Sequence, residues 1–450
     1  MTAFGARRSL GVAGRGIKGK LSDLNGLPQA RRTRVEQMTR AAVAKRLVFH
    51  VGGFDPITPH AGAQRRFVRE LARFQRTWSV KASADGLCNG MDQTKWNVTA
   101  AGPNWLVETD YSLVRWDDVI ETYSRRSIFW RIPLGIVAFV DFVVSGALWG
   151  YLRTNWHYAG FFLFPFVMFG VFSLFAYLVG LLALRTGGSI PVAIIAGLVA
   201  FAVLLAGPWR WLHLAPLFDD WIFSRDYIRK GHPLLEQRLD RMAAEIVAAA
   251  SGSDADELLI IGHSLGAVLA VDALDRALRA DPALGSRNVP VTFLAIGSSV
   301  LKIGLHRGAT RFRAAVERVA RSPGIFWGDY QARVDIMNFY KTDPMAEMAL
   351  PTGNGPLVKC VELSRMLDRA MYRRIRLRFY RLHCQFISGN DKRAAYDYFM
   401  LVCGPVSAKS QTLAADGAVS MFAEDGSLLT APPPSCSEPL VRMAQQPGPR

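Results

Sequence analysis

The sequence predicts an α/β protein, a mostly parallel sheet with helices on both faces, interrupted once by a helical membrane insertion. Three observations carry this expectation. Short apolar runs bounded by turn residues recur from residue 46 to about residue 405, several of them followed by amphipathic helices, as β/α units require. One of them, residues 258–261, passes through Gly262-His263-Ser264-Leu265-Gly266 straight into the helix-forming AVLAVDALDRAL. Three apolar stretches, residues 132–152, 158–184 and 190–211, crowd together between the earlier and later strand runs.

The elements follow in order. RLVFHV (46–51) is an apolar strand closed by Gly52-Gly53-Phe54-Asp55-Pro56. AQRRFVRELARFQRTW places Phe67, Leu71, Phe74 and Trp78 on one helical face. KWNVTA and NWLVET form a hairpin-like pair, and YSLVRW reads as a further strand ending at Asp117-Asp118, two caps. Leu234, Leu235, Leu239, Met242 and Ile246 share a helix face just before the 258–261 strand. Residues 289–300 (VPVTFLAIGSSV) and 334–340 (VDIMNFY) read as strands, the second ending at Asp343-Pro344, where proline stops the strand and leaves the carboxylate on the rim. Residues 374–382 alternate cleanly, Ile375, Leu377 and Phe379 against Arg374, Arg376 and Arg378, as a half-buried strand does, and His383 follows.

Composition narrows the class. Half of the 450 residues are hydrophobic and only 20% charged, which excludes intrinsic disorder. Five cysteines, at 88, 360, 384, 403 and 436, show no CxxC or Cys/His metal spacing and read as reduced thiols. The net charge is +17, of which residues 1–46 supply eleven Lys/Arg against Asp23 and Glu36; a second run, residues 365–381, holds seven Arg. Clustered cations suit anionic lipid or nucleic acid. No basic helix interleaved with aromatics, zinc finger or RNP pattern supports nucleic acid, so the expected partner is a bilayer with anionic headgroups.

The second and third apolar stretches meet the roughly 20-residue length of a bilayer crossing. Trp130, Trp149, Trp156, Trp209 and Trp211 sit near their ends as interfacial aromatics do. Asp141 interrupts the first stretch, at a cost of about 2.5–3.5 kcal/mol on insertion scales. Strand runs of one sheet lie before and after the insertion, so the number of crossings must be even, and the first stretch is the expected exception. Arg125, Arg126, Arg131, Arg225, Arg229 and Lys230 flank the insertion, against Arg153 and Arg185 within it, which predicts a cytoplasmic soluble domain on an integral, bacterial inner-membrane protein. The expected division is a basic tail (1–45), a first half-domain (46–125), the membrane insertion (126–215), a second half-domain (216–405) and a loose Pro-rich tail (406–450).

G-x-S-x-G between a strand and a helix has a chemical reason. The serine sits on a sharp turn that lifts its hydroxyl above the sheet, glycines two before and two after admit neighbouring backbone, and the following helix aims its positive end at a developing oxyanion. Here the sequence resembles the α/β-hydrolase superfamily, GHSLGA being a form common in its lipases and esterases. The resemblance covers about residues 40–125 and 230–405. It implies Ser264 as nucleophile, and an oxyanion hole from the amide of Leu265 with that of Gly53 or Phe54 in HVGGF, a variant of the family's HG-type loop. The family order is serine, acid, histidine. Of the eight histidines only His383 follows Asp343, so the resemblance implies Asp343 as acid and His383 as base, with Asp335, inside the strand, as the rival acid.

The function expected is that of a membrane-anchored serine hydrolase cleaving an ester of a lipid or other hydrophobic acyl group. Thioester, amide and acyl-transfer chemistry use the same groups. The alternative is a non-catalytic scaffold on the same fold. No metal or organic cofactor is expected, because neither metal-ligand spacing nor a phosphate-binding glycine loop is present.

Overall fold

The computed structural model describes residues 42–56, 62–351 and 353–429. Its eight strands are β1 (Lys45–Val51), β2 (Lys81–Asn89), β3 (Gln93–Gly102), β4 (Trp105–Val114), β5 (Glu257–His263), β6 (Val291–Ile296), β7 (Ile325–Ala332) and β8 (Leu357–Val361). They form one sheet in the order β2-β3-β4-β1-β5-β6-β7-β8. Neighbours pair parallel from β4 across to β8, and β2, β3 and β4 form an antiparallel meander. The sheet is therefore mostly parallel, as the sequence predicts.

The central strand β5 is buried along its whole length. Its alternate residues belong to different cores, Leu258 and Ile260 to one and Leu259 and Ile261 to the other, because successive side chains leave opposite faces of a strand. Helix α1 (Ala63–Trp78) covers the second face through Phe67, Leu71, Phe74 and Trp78, the stripe read from sequence.

Between β4 and β5 run α2 (Asp117–Ser124), α3 (Ile128–Val144), α4 (Ala147–Thr154), α5 (Trp156–Arg185), α6 (Ile190–Ala206), α7 (Leu214–Arg229) and α8 (Pro233–Gly252). After β5 come α9 (Gly266–Ala280), α10 (Thr310–Arg321) and the short α11 (Arg369–Ile375) and α12 (Phe379–His383). Helices α8, α9 and α10 cover the first face.

Two helices are long and apolar enough to span a membrane: α5, and α6 continued to Trp211. Only 11% and 6% of their most apolar windows are buried, so their greasy surface faces outward, as lipid solvation requires and water would not tolerate. The first apolar stretch is different. It is broken at Gly146, whose φ of +82° ends α3 and starts α4. Gly135, Ala138 and Phe142 of α3 are buried, and a Cβ at Gly135 would lie 2.1 Å from Phe218 of α7. Asp141 ion-pairs with Arg229 at 2.6 Å and Arg225 at 3.4 Å, so its charge is held against the folded domain rather than placed in lipid.

Several sequence expectations are corrected. Residues 334–340 form turns, not a strand; the strand is β7, just upstream. Residues 374–382 lie in and between α11 and α12 rather than in a strand. NWLVET and YSLVRW belong to the single strand β4, and β2 and β8 were not read at all. The compact unit runs Val43–Leu429, so residues 406–429 fold with it. The basic run up to residue 41 and residues 430–450, with Cys436, lie outside the described residues. Fully buried Arg46, at the start of β1, shows why the later segment stays: it pairs with Glu257 at 2.9 Å and donates to the carbonyls of Val402, Gly404 and Val406.

Candidate active site

The turn after β5 is as tight as the motif demands. Ser264 has φ +56°, a left-handed conformation disfavoured for a residue with a Cβ and found where surrounding structure enforces it. The enforcement is visible: the Ser264 amide donates to Ile296 O at 3.0 Å, and its carbonyl accepts from Ala267 and Ser299. Both motif glycines are required by contact. A Cβ at Gly262 would lie 2.4 Å from Ala267 Cα, and one at Gly266 2.1 Å from Val51 O. Helix α9 starts here, with Leu265 as its N-cap.

Parallel pairing of β1 with β5 brings the end of β1 beside this turn. A Cβ at Gly53 would stand 2.9 Å from Ser264 Cβ and 3.3 Å from its Oγ, so the Gly53 backbone lies directly against the hydroxyl. Phe54 follows, its ring packed on Trp116 and Phe223. Gly53 and Phe54 of the first loop and Ser264 of the second line one cavity of about 300 Å³.

His383, at the end of α12, lines the same cavity. Its Nδ1 lies 2.7 Å from Asp335 Oδ2, with both side chains almost wholly buried. Its Nε2 is buried and has no hydrogen-bond partner among the described residues. The other Asp335 oxygen accepts the Met337 amide at 2.9 Å. A carboxylate so held fixes the Nδ1–H tautomer and leaves Nε2 as a base. Gly297 (φ +54°) makes room for the imidazole, since a Cβ there would lie 2.9 Å from His383 Cε1.

Asp343, the acid favoured in the sequence, does not take this place. It caps a short helix, Pro344–Glu347, its Oδ1 accepting the Met345 amide at 2.9 Å. The reason for the correction is the strand boundary. With β7 ending at Ala332, Asp335 is the residue just past the strand, the position that a strand over 334–340 gives to Asp343.

Two further histidines surround the site. His263 packs its ring 4.6 Å from that of His383, and burial, reinforced by His383 and His50, holds its pKa well below the ordinary histidine value, so it stays neutral. His50 lines the cavity and is fixed through Nδ1 by the Tyr111 hydroxyl and, at 3.2 Å, by that of Tyr398; the two hydroxyls are 2.7 Å apart. Tyr111, Tyr398, Gly297 and Met337 escaped the sequence reading. Only Gly297, a glycine directly after an apolar strand run, carried a local signal.

No family model matches this sequence, and neither a curated protein nor a solved structure is matched by it.

Proposed function

We propose that this chain is a membrane-anchored serine hydrolase that cleaves an ester of a lipid or other hydrophobic acyl group. One observation carries the reading: a buried Asp335–His383 pair with an unpartnered Nε2 opens on the same cavity as a serine held at positive φ on a strand-to-helix turn. The mechanism follows. Ser264 Oγ attacks the acyl carbon while its proton passes to His383 Nε2. Asp335 stabilises the imidazolium and keeps its orientation. The tetrahedral oxyanion is received by the amide of Leu265, helped by the N-terminus of α9, and by that of Gly53 or Phe54. Collapse expels the alcohol, protonated by His383, and water deacylates Ser264 by the same proton route.

A hydrophobic substrate is supported by the cavity wall, which Phe67, Trp96, Leu113 and Ile387 line together with Ser264, and by the two outward-facing apolar helices. The soluble domain is assigned to the cytoplasmic side, its lipid partner being the anionic inner leaflet. Arg153, in α4, stands before the spans, so the α5–α6 connection is left with Arg185 as its cation.

Labelling of full-length protein in nanodiscs with a fluorophosphonate probe tests the reading. Wild type is expected to react, and Ser264→Ala is not. Folded wild-type protein that stays unlabelled would refute the hydrolase assignment.

A further inference from the structure

The segment between β8 and His383 is the most basic uncovered part of the described residues. Residues 369–381 hold six arginines and no acid. Arg369, Arg373, Arg374, Arg376, Arg378 and Arg381 are all exposed, and none forms an ion pair among the described residues. Elsewhere exposed arginines commonly find carboxylates, as Arg125 does with Glu121 and Arg279 with Asp275. Among these six stand two apolar side chains turned outward, Leu377 at 75% exposure and Phe379 at 48%. Interleaved cations and exposed apolar groups on short helical turns are what an anionic lipid interface rewards: guanidinium groups meet phosphates while the apolar groups enter below them.

The position of this segment is defined by a chain of contacts. α5 begins at Trp156, 66% exposed, a residue type that settles at the membrane interface. Two residues later Tyr158 stacks on Phe339 at 3.9 Å. Phe339 belongs to the loop that carries Asp335, and Asp335 holds His383 at the end of α12. Tyr380 of α12 reaches across to Asp55, just past the Gly53-Phe54 loop, and both residues line the cavity. The root of the first spanning helix, the loop carrying the acid and the arginine-rich segment are thus linked by successive contacts.

We propose that residues 369–381 dock on an anionic lipid surface, and that this contact holds the rim of the Ser264 cavity against the bilayer in which α5 and α6 are anchored. The proposal rests on reading α5 and α6 as membrane spans; it does not depend on the chemistry assigned to Ser264. Charge complementarity selects the occupant, since six unpaired cations with no carboxylate match phosphodiester headgroups, and the apolar residues between them need an acyl region that a soluble polyanion lacks.

The test uses the full chain carrying Leu377→Trp, in nanodiscs whose phospholipids bear brominated acyl chains, with the wild-type fluorescence subtracted. The added indole should be quenched in discs of phosphatidylcholine containing phosphatidylglycerol, several-fold less in phosphatidylcholine alone, and less again at high salt. In that background Arg373→Gln, Arg374→Gln, Arg376→Gln and Arg378→Gln should each shift the docking equilibrium about fivefold, from about 1 kcal/mol per basic residue at an anionic surface. The corresponding lysine substitutions should keep it. Equal quenching in both lipids overturns the proposal without recourse to any arginine variant. So does an indole that stays unquenched in both. Quenching that follows phosphatidylglycerol while Ser264 stays unlabelled by fluorophosphonate would retain the docking surface and remove the hydrolase reading.

Discussion

The acid beside His383 is the residue on which the proposed chemistry turns. Asparagine at position 335 keeps the shape but offers an amide where Nδ1–H needs a carboxylate, favouring the wrong tautomer; Asp335→Asn should lower kcat by about 10⁴. Asp343→Asn should change kcat little and stability little, because asparagine caps a helix as well as aspartate. Steady-state kinetics on the two variants decides between them, and the reverse ranking would return the role to Asp343. A second carboxylate separates stability from activity. Asp329 is fully buried in β7, and burial, eased by Gln331 and reinforced by Asp343, raises its pKa to about 7. Its folded-state pKa lies above the unfolded value near 3.9, so the folded chain keeps a proton that the unfolded chain releases. The stabilisation is therefore complete below about pH 4 and is lost as pH rises toward about 7. Asp329→Asn removes the titrating group. Its melting temperature relative to wild type should rise between pH 5 and pH 8, and a pH-independent difference would contradict the assignment.

At the scale of elements, the spanning helices show a packing device that their uniform hydrophobicity conceals. Ala176 and Gly180 of α5 meet Ala193 and Gly197 of α6. A Cβ at Gly180 would lie 2.9 Å from Ala193 O, and one at Gly197 3.0 Å from Ala176 O. Lipid offers no hydrophobic drive to join helices, so close backbone approach through small residues must supply the attraction. Gly180→Leu should force the pair apart and cost about 1–3 kcal/mol by overpacking, read as earlier thermal unfolding in detergent; an unchanged midpoint would mean that the pair is not tightly packed. The same scale shows what the sequence could and could not convey. Elements with a strong local pattern were legible: the stripe of α1, the Gly262–Gly266 turn, the greasy length of α5 and α6. The misreadings had a common cause, a local period taken without its partner strand. Ile375, Leu377 and Phe379 alternate with arginines, yet the sheet ends at β8 and the segment folds into short helices that bury Ile375 and leave Leu377 and Phe379 exposed. Conversely β7 (IFWGDYQA) lacks an apolar run because Asp329 and Gln331 lie in its buried interior, Gln331 Nε2 donating to Asp329 Oδ2 at 3.1 Å. Burial of these polar groups is a tertiary fact invisible to periodicity, and without it a strand is expected downstream, with Asp343 rather than Asp335 just past its end. Ser264 and His383, which line one cavity, are singled out in the sequence by a local motif and by chain order respectively.

For the whole molecule, the sheet itself constrains the topology. β1 and β4 precede the insertion and β5 follows it, yet β1 pairs with both β4 and β5 in register. Strands so joined occupy one side of a bilayer, so the chain between them must cross an even number of times. Two helices meet the length and apolarity of a crossing. The first apolar stretch is divided at Gly146 and tied by Asp141 to α7, whose Lys302–Asp220 and Arg131–Asp219 pairs fasten the root of the insertion to the domain at 2.6 and 2.8 Å. Reporter tags at the N-terminus and C-terminus should therefore report the same side. A thiol placed in the α5–α6 connection by Ser189→Cys, after Cys436 and the exposed Cys88 and Cys360 are replaced by serine, should react with an impermeant maleimide only from the opposite side. Tags on opposite sides would mean three crossings, with α2 and α3 serving as one bent span, and would be incompatible with pairing β1 to β5. Asp141→Leu sharpens the comparison. It removes the charge that disfavours insertion of α3, at about 2.5–3.5 kcal/mol on insertion scales, while leaving Arg225 and Arg229 without their carboxylate. If the folded sheet governs topology, this variant should lose stability without moving either tag. A tag that changes sides would show that hydropathy along the chain, and not the sheet, sets the number of crossings.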